Sequence, residues 1–261
     1  MTESLLQKKF VQQKKKEKRT IIFARWMIFI LFLALWELSS SLHWIDSFIF
    51  SCPSQIVKTF FDMVIRQNLF SHIGATLFET FVSFILVTFL GMLLSLILWI
   101  SPRLSAVCEP YLIVLNSLPK SALAPLLIVW LGANQKTIIV AGISVALFGS
   151  VISLYTGFQE IDPDDLKLIR TLGGTKKDTL FKVVLPASVP YLLSVMKVNI
   201  GLCLVGVVIG EFIGARKGLG HLIIYSSQVF KMNWMLLSIV LLCIISMGLY
   251  SLLNFIEKKM H

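Results

Sequence analysis

The sequence predicts an all-α protein that crosses a membrane six times, and three of its features support this fold class. First, 56% of its 261 residues are hydrophobic and its mean hydropathy is +0.83, values that soluble domains rarely reach. Second, apolar runs recur at lengths near the roughly 20 residues that a helix needs to cross a bilayer. Third, lysine and arginine are distributed unevenly between the segments that separate these runs.

The apolar runs define the expected spans. They cover residues 26–42, 77–100, 107–131, 137–158, 187–210 and 234–256. The third run is irregular because Pro110, Pro119 and Pro125 interrupt it, and each proline removes a helical hydrogen bond. Six spans place both termini on the same side of the membrane.

The basic residues indicate which side that is. Eight lysines and arginines lie in the basic tail, residues 1–25, and five lie in residues 159–186, between the fourth and fifth spans. Cytoplasmic loops carry the excess of positive charge, so we expect both termini and residues 159–186 to be cytoplasmic. This topology explains the net charge of +10 better than a nucleic-acid partner does.

Residues 159–186 predict two short helices instead of a plain loop. Asp162 can cap a helix start and Pro163 suits its first position. Asp164 and Asp165 then lie where the helix dipole favours negative charge. Apolar residues at helical spacing give this helix an apolar face; they are Leu166, Ile169 and Leu172.

A glycine turn separates the first short helix from the second. Gly173 and Gly174 can end a helix, because glycine adopts the left-handed conformation that closes it. Thr175 and Asp178 have the spacing of a capping box, which starts the next helix. Pro186 either stops that helix or begins the following one.

This pattern resembles the cytoplasmic coupling loop of binding-protein-dependent ABC importer permeases. Their motif is a Glu-Ala-Ala triplet, then a glycine, then Ile-x-Leu-Pro. Residues 170–173 (Arg-Thr-Leu-Gly) and 183–186 (Val-Val-Leu-Pro) match it, while Lys167, Leu168 and Ile169 occupy the triplet positions. The resemblance covers nearly the whole chain after the tail and is strongest to the nitrate, sulfonate and taurine permeases, which include transporters of thiamine-precursor pyrimidines. Its other matching residues are Trp36-Glu37-Leu38, Pro53-Ser54, 206–214 and Gly218-Leu219-Gly220.

The resemblance implies a permease domain over residues 26–261, in the bacterial cytoplasmic membrane, that imports a small solute such as a sulfonate, taurine, nitrate or a pyrimidine. No P-loop is present in the sequence, so the resemblance implies two copies of a separate ABC ATPase subunit. A second permease copy, forming a homodimer, is expected because one chain supplies only one coupling segment. An extracytoplasmic solute-binding protein is the remaining implied partner, and no cofactor is expected.

The resemblance also implies that residues 159–186 couple the permease to the ATPase. We expect Leu166, Ile169 and Leu172 to enter a groove on that subunit, as amphipathic helices do. Closure of the two ATPases would then move the docked helices and tilt the fourth and fifth spans. The candidate coupling residues are Asp165, Leu166, Ile169, Arg170, Leu172, Gly173, Leu185 and Pro186.

Two charged residues are candidates for the solute pathway. Lys120 lies among the prolines of the third run, and a charge at membrane depth usually faces a cavity or a partner. The alternative is that Lys120 snorkels or pairs with a carboxylate. Glu211 lies at the outer end of the fifth span, where a gate contact and a solvated helix end fit equally well. Lys197 is expected to snorkel towards the cytoplasm.

Gly206, Gly210 and Gly214 repeat every four residues along the fifth span, a spacing that lets two helix backbones approach closely. This stripe fits packing within one chain and contact between two chains equally well.

Two other classes of protein fit the sequence less well. An ion-coupled secondary transporter would show inverted repeats and a carboxylate at mid-membrane, whereas Glu37, Glu79 and Glu211 lie near the ends of the predicted spans. An enzyme would need a catalytic constellation, and the four histidines are scattered without metal-ligand spacing. The four cysteines have no paired spacing and are interpreted as small apolar side chains. Neither a catalytic site nor a metal site is therefore expected.

Overall fold

The structure, a computed structural model, describes residues 2–260. The side chains of residues 2–6, 8, 9, 47, 170 and 260 lie outside that description. Lys8 and Lys9 of the basic tail and Arg170 of the coupling segment are therefore described by their backbone alone.

Residues 2–260 form twelve α-helices and one π-helical turn, without a strand. In chain order these are α1 (Thr2–Ser41), α2 (Ser47–Phe50), α3 (Pro53–Arg66), α4 (Leu69–Ile100), α5 (Pro102–Ser117), α6 (Lys120–Leu131), α7 (Gln135–Gln159), α8 (Pro163–Thr171), α9 (Lys176–Thr179), the π-turn (Leu180–Val184), α10 (Leu185–Gly214), α11 (Leu219–Gln228) and α12 (Met232–Met260).

Five helices of the described chain are long and apolar enough to cross a membrane, and the pair α5 and α6 makes a sixth if it counts as one span. An all-helical chain with five to six spans is thus confirmed. The third predicted run differs from a straight span, because α5 and α6 meet at an angle of 94°. Leu118, between them, has an extended backbone (φ −61°, ψ 137°), which the following Pro119 favours.

The chain divides into two units, residues 1–62 and 63–261. In the first unit α1 is one helix through the basic tail and the first apolar run, with no break at residue 25. Glu37 of α1 accepts hydrogen bonds from Ser54, at 3.1 Å from the backbone nitrogen and 2.7 Å from Oγ. Two of the short motifs singled out in the sequence therefore meet, and the Glu37 carboxylate satisfies a free N–H group at the start of α3.

In the second unit, α7 and α10 approach each other most closely through small residues. A β-carbon at Gly206 would lie 2.8 Å from the Cα atom of Gly142 and 2.9 Å from the carbonyl oxygen of Ala141. One at Gly210 would lie 3.1 Å from the Cα atom of Ile138. Gly206 and Gly210 thus pack against α7 and Gly214 faces Ile128 of α6, so the stripe packs within one chain, which was one of the two alternatives.

Hydrogen bonds between buried side chains and backbone also join these helices. Asn199 of α10 donates to Ser150 Oγ of α7 at 2.8 Å. Ser95 of α4 donates to the carbonyl oxygen of Val151 in α7 at 3.0 Å. Such bonds stabilise helix contacts inside a membrane, where an unpaired polar group is costly.

Candidate functional site

The coupling segment begins with a capped helix. Asp162 Oδ1 accepts a hydrogen bond from the backbone nitrogen of Asp164 at 2.8 Å, and α8 starts at Pro163. Asp164 pairs with Lys167 at 2.9 Å, both side chains being exposed, and Asp165 in the same first turn is exposed as well. The start signals at residues 162–165 therefore coincide with the start of α8.

A glycine turn closes α8. Gly173 has φ +78°, in the left-handed region that favours glycine. The backbone nitrogen of Gly174 donates to the carbonyl oxygen of Ile169 at 2.9 Å, as in helix ends closed by a left-handed residue. A β-carbon at Gly174 would lie 2.5 Å from Ile169 Cγ2, so the turn has room only for glycine there.

A reciprocal capping box starts α9. The backbone nitrogen of Asp178 donates to Thr175 Oγ1 at 3.3 Å, and that of Thr175 donates to Asp178 Oδ2 at 2.9 Å. Asp178 Oδ1 also pairs with Lys182 at 2.8 Å. The segment is thus a helix–turn–helix with local polar contacts at both helix starts.

A π-helical turn, residues 180–184, links α9 to the long helix α10. Leu185 and Pro186 are the first two residues of α10, so Pro186 begins a helix and does not end one. Proline lacks an N–H group and its ring clashes with the carbonyl four residues earlier. The backbone nitrogen of Leu185 instead donates to the carbonyl oxygen of Leu180, so the chain stays helical through the widened turn.

The apolar side chains of the segment face two ways. Leu166 packs against a core cluster that includes Phe158 and Val184, and Ile169 is half-buried against the glycine turn. Leu172, by contrast, is 75% exposed. Two further apolar side chains of the segment are exposed, Leu168 (56%) and Phe181 (65%). The sequence did not identify either of them as a docking residue. Some apolar side chains of the segment therefore pack against its own chain, while others are exposed to solvent.

Glu211 is fully buried, so it is not a solvated helix end. Its Oε1 atom accepts from Thr76 Oγ1 at 2.6 Å, and its Oε2 atom accepts from the backbone nitrogen of Gly220, also at 2.6 Å. A β-carbon at Gly218 would lie 2.3 Å from the Glu211 Cδ atom. The loop after α10 therefore folds directly over this carboxylate, which joins α4, α10 and α11.

Glu79 of α4 lies beside Glu211 and was not selected from the sequence. It is 3% exposed, and the side chains of Glu211 and Gln135 approach it. Its Oε2 atom has no hydrogen-bond partner among the described residues. The two carboxylates are 132 residues apart in the sequence, so their proximity could not be predicted from spacing. The only related feature of the sequence is the glycine pair at 218 and 220, where the chain comes close to Glu211.

Lys120 lies at the bend between α5 and α6. Its ammonium donates to the carbonyl oxygen of Leu115 at 2.5 Å and lies 5.5 Å from the ring centre of Phe148. It thereby satisfies one of the free carbonyl groups that the end of α5 leaves. Lys197, expected to snorkel, instead forms an ion pair with Glu257 of α12.

Most of the second unit matches a known protein family. Residues 87–260 match the model of the binding-protein-dependent transport system inner membrane component, which is most of the second unit and about two thirds of the chain. The chain belongs to this family. The resemblance read from the sequence is therefore confirmed, and the protein is a multi-pass membrane permease subunit of an ABC importer for small solutes.

Curated relatives of the permease match over most of its length. A probable ABC transporter permease protein of Haemophilus influenzae is 28% identical over 218 residues, covering 84% of this chain and 88% of that protein. The formylaminopyrimidine transport permease of Halalkalibacterium halodurans is 26% identical over 195 residues, covering 75% and 77%. Others are named as sulfonate, nitrate and taurine transport permeases. These relatives are transport permeases and not enzymes, and they do not favour an ion-coupled secondary transporter.

A solved structure has the same fold as the permease. A chain of the inward-facing methionine ABC transporter MetNI aligns with a TM-score of 0.67 at 20% identity, covering 74% of this chain and 96% of that one. Members of the family work with an ATPase and a solute-binding protein, and the all-helical fold agrees with theirs.

Proposed function

We propose that this permease lies in the bacterial cytoplasmic membrane with both termini inside, and that residues 159–186 couple it to ATP hydrolysis by a separate ATPase subunit. The observation that carries the proposal is the exposure of three large apolar side chains in the coupling segment, Leu168, Leu172 and Phe181. Leu172 directly follows α8, and its backbone nitrogen donates to the carbonyl oxygen of Leu168 at 3.1 Å, so these two residues, four apart, lie on the same side of the helix end. Water-exposed leucines of this kind are stabilised by burial in a partner.

Some coupling residues bind the ATPase, and others connect the bound helix to the rest of the permease. Leu172 docks on the ATPase, and Asp165 and Arg170 of the preceding helix α8 supply polar contacts. Leu166 and Ile169 fix α8 to its own chain, so that a displacement of the docked face moves the core cluster with it. Gly173 sets the angle between α8 and α9 through its left-handed conformation.

The π-turn and α10 carry the displacement into the membrane. Leu185 and Pro186 join the segment to a helix of 30 residues, about 45 Å at 1.5 Å per residue. This exceeds the roughly 30 Å of hydrocarbon in a bilayer, so α10 extends beyond the membrane to reach the segment. Because the chain stays helical through the π-turn, movement of α9 tilts α10 instead of being absorbed by a loop.

The complete importer contains two permease copies as a homodimer, two ATPase subunits and an extracytoplasmic solute-binding protein. One chain supplies one coupling segment, which supports a two-fold assembly. The solute belongs to the set transported by the named relatives: a sulfonate, taurine, nitrate or a pyrimidine precursor of thiamine.

Lys120 is proposed to line the solute pathway at the bend between α5 and α6. The bond to Leu115 uses one of its three donors, which leaves two for an anionic solute. Glu211 contributes indirectly, because its buried carboxylate positions the outer loop. Uptake by a Lys120→Arg variant at the wild-type rate, with loss of uptake in Lys120→Met, supports the role of Lys120; equal uptake by both variants rules it out.

The central test is co-purification of the permease with its ATPase subunit, combined with solute uptake. Leu172→Asp places a charge on the docking face and should weaken ATPase binding by at least tenfold, since burial of a leucine contributes about 1.5–3 kcal/mol. Leu172→Met keeps the apolar volume and serves as the matched control. Gly173→Pro should also abolish uptake without preventing membrane insertion. Wild-type ATPase binding and uptake by Leu172→Asp would contradict the proposal.

A further inference from the structure

The helix α3 is amphipathic, and part of its apolar side is exposed. Each residue of an α-helix is turned by about 100° from the one before it, which gathers the apolar residues of α3 on one side. Of these, Ile56 and Met63 are buried, whereas Val57, Phe61 and Ile65 are 56%, 59% and 79% exposed. Because the exposed three are spaced four residues apart, they form one apolar stripe along the helix.

The opposite side of α3 is polar. It carries Gln55, Lys58, Thr59, Asp62 and Arg66. With 14 residues, α3 is about 21 Å long, which is shorter than the roughly 30 Å of hydrocarbon in a bilayer. Three charged side chains would also be costly inside that layer. A short helix with one apolar and one charged side is instead typical of a helix that lies on a membrane surface.

A contact with α1 fixes the depth at which α3 begins. Ser54, the second residue of α3, donates to Glu37 from its backbone nitrogen at 3.1 Å and from Oγ at 2.7 Å. Glu37 lies four residues before the end of α1 at Ser41, which is about 6 Å along the helix axis. Because α1 contains the first candidate span, α3 starts within about one helical turn of the level at which that span ends. The boundary between hydrocarbon and headgroups therefore lies next to α3.

The connection between α1 and α3 exposes large aromatic side chains as well. Trp44, Phe48 and Phe50 are 78%, 65% and 54% exposed. Tryptophan is enriched at the interface between membrane and water, because its ring has an apolar body and a polar N–H group. The connection therefore has the composition of a segment that lies at the same boundary.

We propose that α3 is an interfacial helix, which lies along the membrane surface with Val57, Phe61 and Ile65 among the first segments of the acyl chains. Lys58 and Asp62 then face the headgroups and water. The partner of the apolar stripe is the bilayer that α1 crosses, because the contact between Ser54 and Glu37 holds the start of α3 at the edge of that bilayer. The leaflet is the outer one; this point rests on the proposed function, whose orientation places the end of α1 outside.

The test compares neighbouring positions of α3 in the full-length permease, held in nanodiscs of phosphatidylethanolamine and phosphatidylglycerol. The four native cysteines are replaced by serine, and a nitroxide is attached after Val57→Cys, Phe61→Cys or Ile65→Cys. Lys58→Cys and Asp62→Cys are the matched controls, each one residue further along the helix. Electron paramagnetic resonance then measures collisions of the nitroxide with oxygen, which concentrates among acyl chains, and with a water-soluble nickel chelate.

Labels on the apolar stripe should collide with oxygen and lose their collisions with nickel, while the labels at positions 58 and 62 should collide with nickel. Nickel collisions at 57, 61 and 65 as frequent as those at 58 overturn the proposal, because the stripe then faces water. Shielding of the stripe from both reagents overturns it too, because a protein surface then covers it, such as a second permease copy or the solute-binding protein.

A second variant tests whether the apolar side chains hold the helix in place. Val57→Ser/Phe61→Ser removes two of the three, and burial of each contributes a factor of about 10 to 100 to the insertion equilibrium. Nickel collisions of a label at position 65 should therefore increase, whereas Thr59→Ser on the polar side should not change them. Unchanged collisions in the double variant overturn the proposal.

Maleimide labelling of Lys58→Cys separates the interfacial helix from the orientation on which its leaflet rests. In intact cells a membrane-impermeant maleimide should react at this position. Reaction only after permeabilisation, with the expected collision pattern, overturns the outer leaflet and the proposed orientation but supports an interfacial helix. Reaction from outside without the collision pattern overturns the interfacial helix and leaves the proposed function standing.

Discussion

The contact between α7 and α10 yields the sharpest prediction, because one glycine can be compared with another in the same helix. We consider Gly206→Val, with Gly201→Val as its control. A β-carbon at Gly206 would lie 2.8 Å from Gly142 Cα and 2.9 Å from the Ala141 carbonyl oxygen, while one at Gly201 meets nothing within 4 Å. The obstruction at Gly206 is backbone, so it cannot be relieved by rotating a side chain.

The magnitude follows from how far the helices must part. Ordinary contacts of a β-carbon begin near 3.4 Å, so α7 and α10 must separate by about 0.6 Å even for alanine, and further for valine. Overpacking of this kind costs about 3 kcal/mol, and valine regains a few tenths through its higher helix propensity than glycine. At about 2–4 °C per kcal/mol for a chain near this size, the Tm should fall by about 5–10 °C.

Thermal unfolding of both variants in nanodiscs, followed by tryptophan fluorescence, tests this reasoning. Gly201→Val should unfold within about 2 °C of the wild type, because a small cavity of about 60 Å³ lies beside Gly201. Equal destabilisation by the two variants would refute the claim that the glycine stripe packs within one chain at Gly206.

Three further predictions follow from local contacts. Thr175→Ala removes the capping box and should lower the stability of the α8–α9 segment by about 0.5–2 kcal/mol, seen as faster hydrogen exchange in residues 175–182 while the spans exchange as before. Glu257→Gln leaves the half-buried Lys197 without its partner, so its Tm should fall more than that of the Lys197→Met/Glu257→Gln double variant; the opposite order would contradict the ion pair. Ser54→Ala removes the Oγ donor to Glu37 and should increase proteolysis between α1 and α3; unchanged proteolysis would contradict this contact.

The spans and the helix–turn–helix could be predicted because their determinants are local. Hydropathy over about 20 residues identifies a span without knowledge of its neighbours. Asp162, Pro163, Gly173 and Thr175 act on backbone groups within a few residues of themselves, and the structure places helix starts and the turn at those positions.

The bend and the buried carboxylates could not be predicted, because they depend on distant parts of the chain. Three prolines marked the third run as irregular, but they did not indicate the 94° angle between α5 and α6. Both of these helices contact α7, which follows them in the chain. Glu79 and Glu211 each lie near a span end in the sequence, and only the packing of α4 on α10 buries them together.

The apolar residues of the coupling segment show that helical spacing alone does not predict which side chains are buried. Leu166, Ile169 and Leu172 fit one helical stripe, yet Leu166 packs inward and Leu172 is exposed. A spacing of three or four residues identifies neighbours on a helix but does not say which face meets the chain's own core. Leu168 occupies an alanine position of the family motif, and its exposure became evident only from the fold.

The orientation of the coupling segment is the claim on which the account depends, and thiol labelling tests it most directly. In a variant whose four cysteines are replaced, a single cysteine at the exposed Lys177 reports on the segment, and one at the exposed Lys217 reports on the opposite end. A membrane-impermeant maleimide should label position 217 in intact cells and position 177 only after permeabilisation. Labelling of position 177 in intact cells would place the segment outside, away from ATP, and would contradict the account.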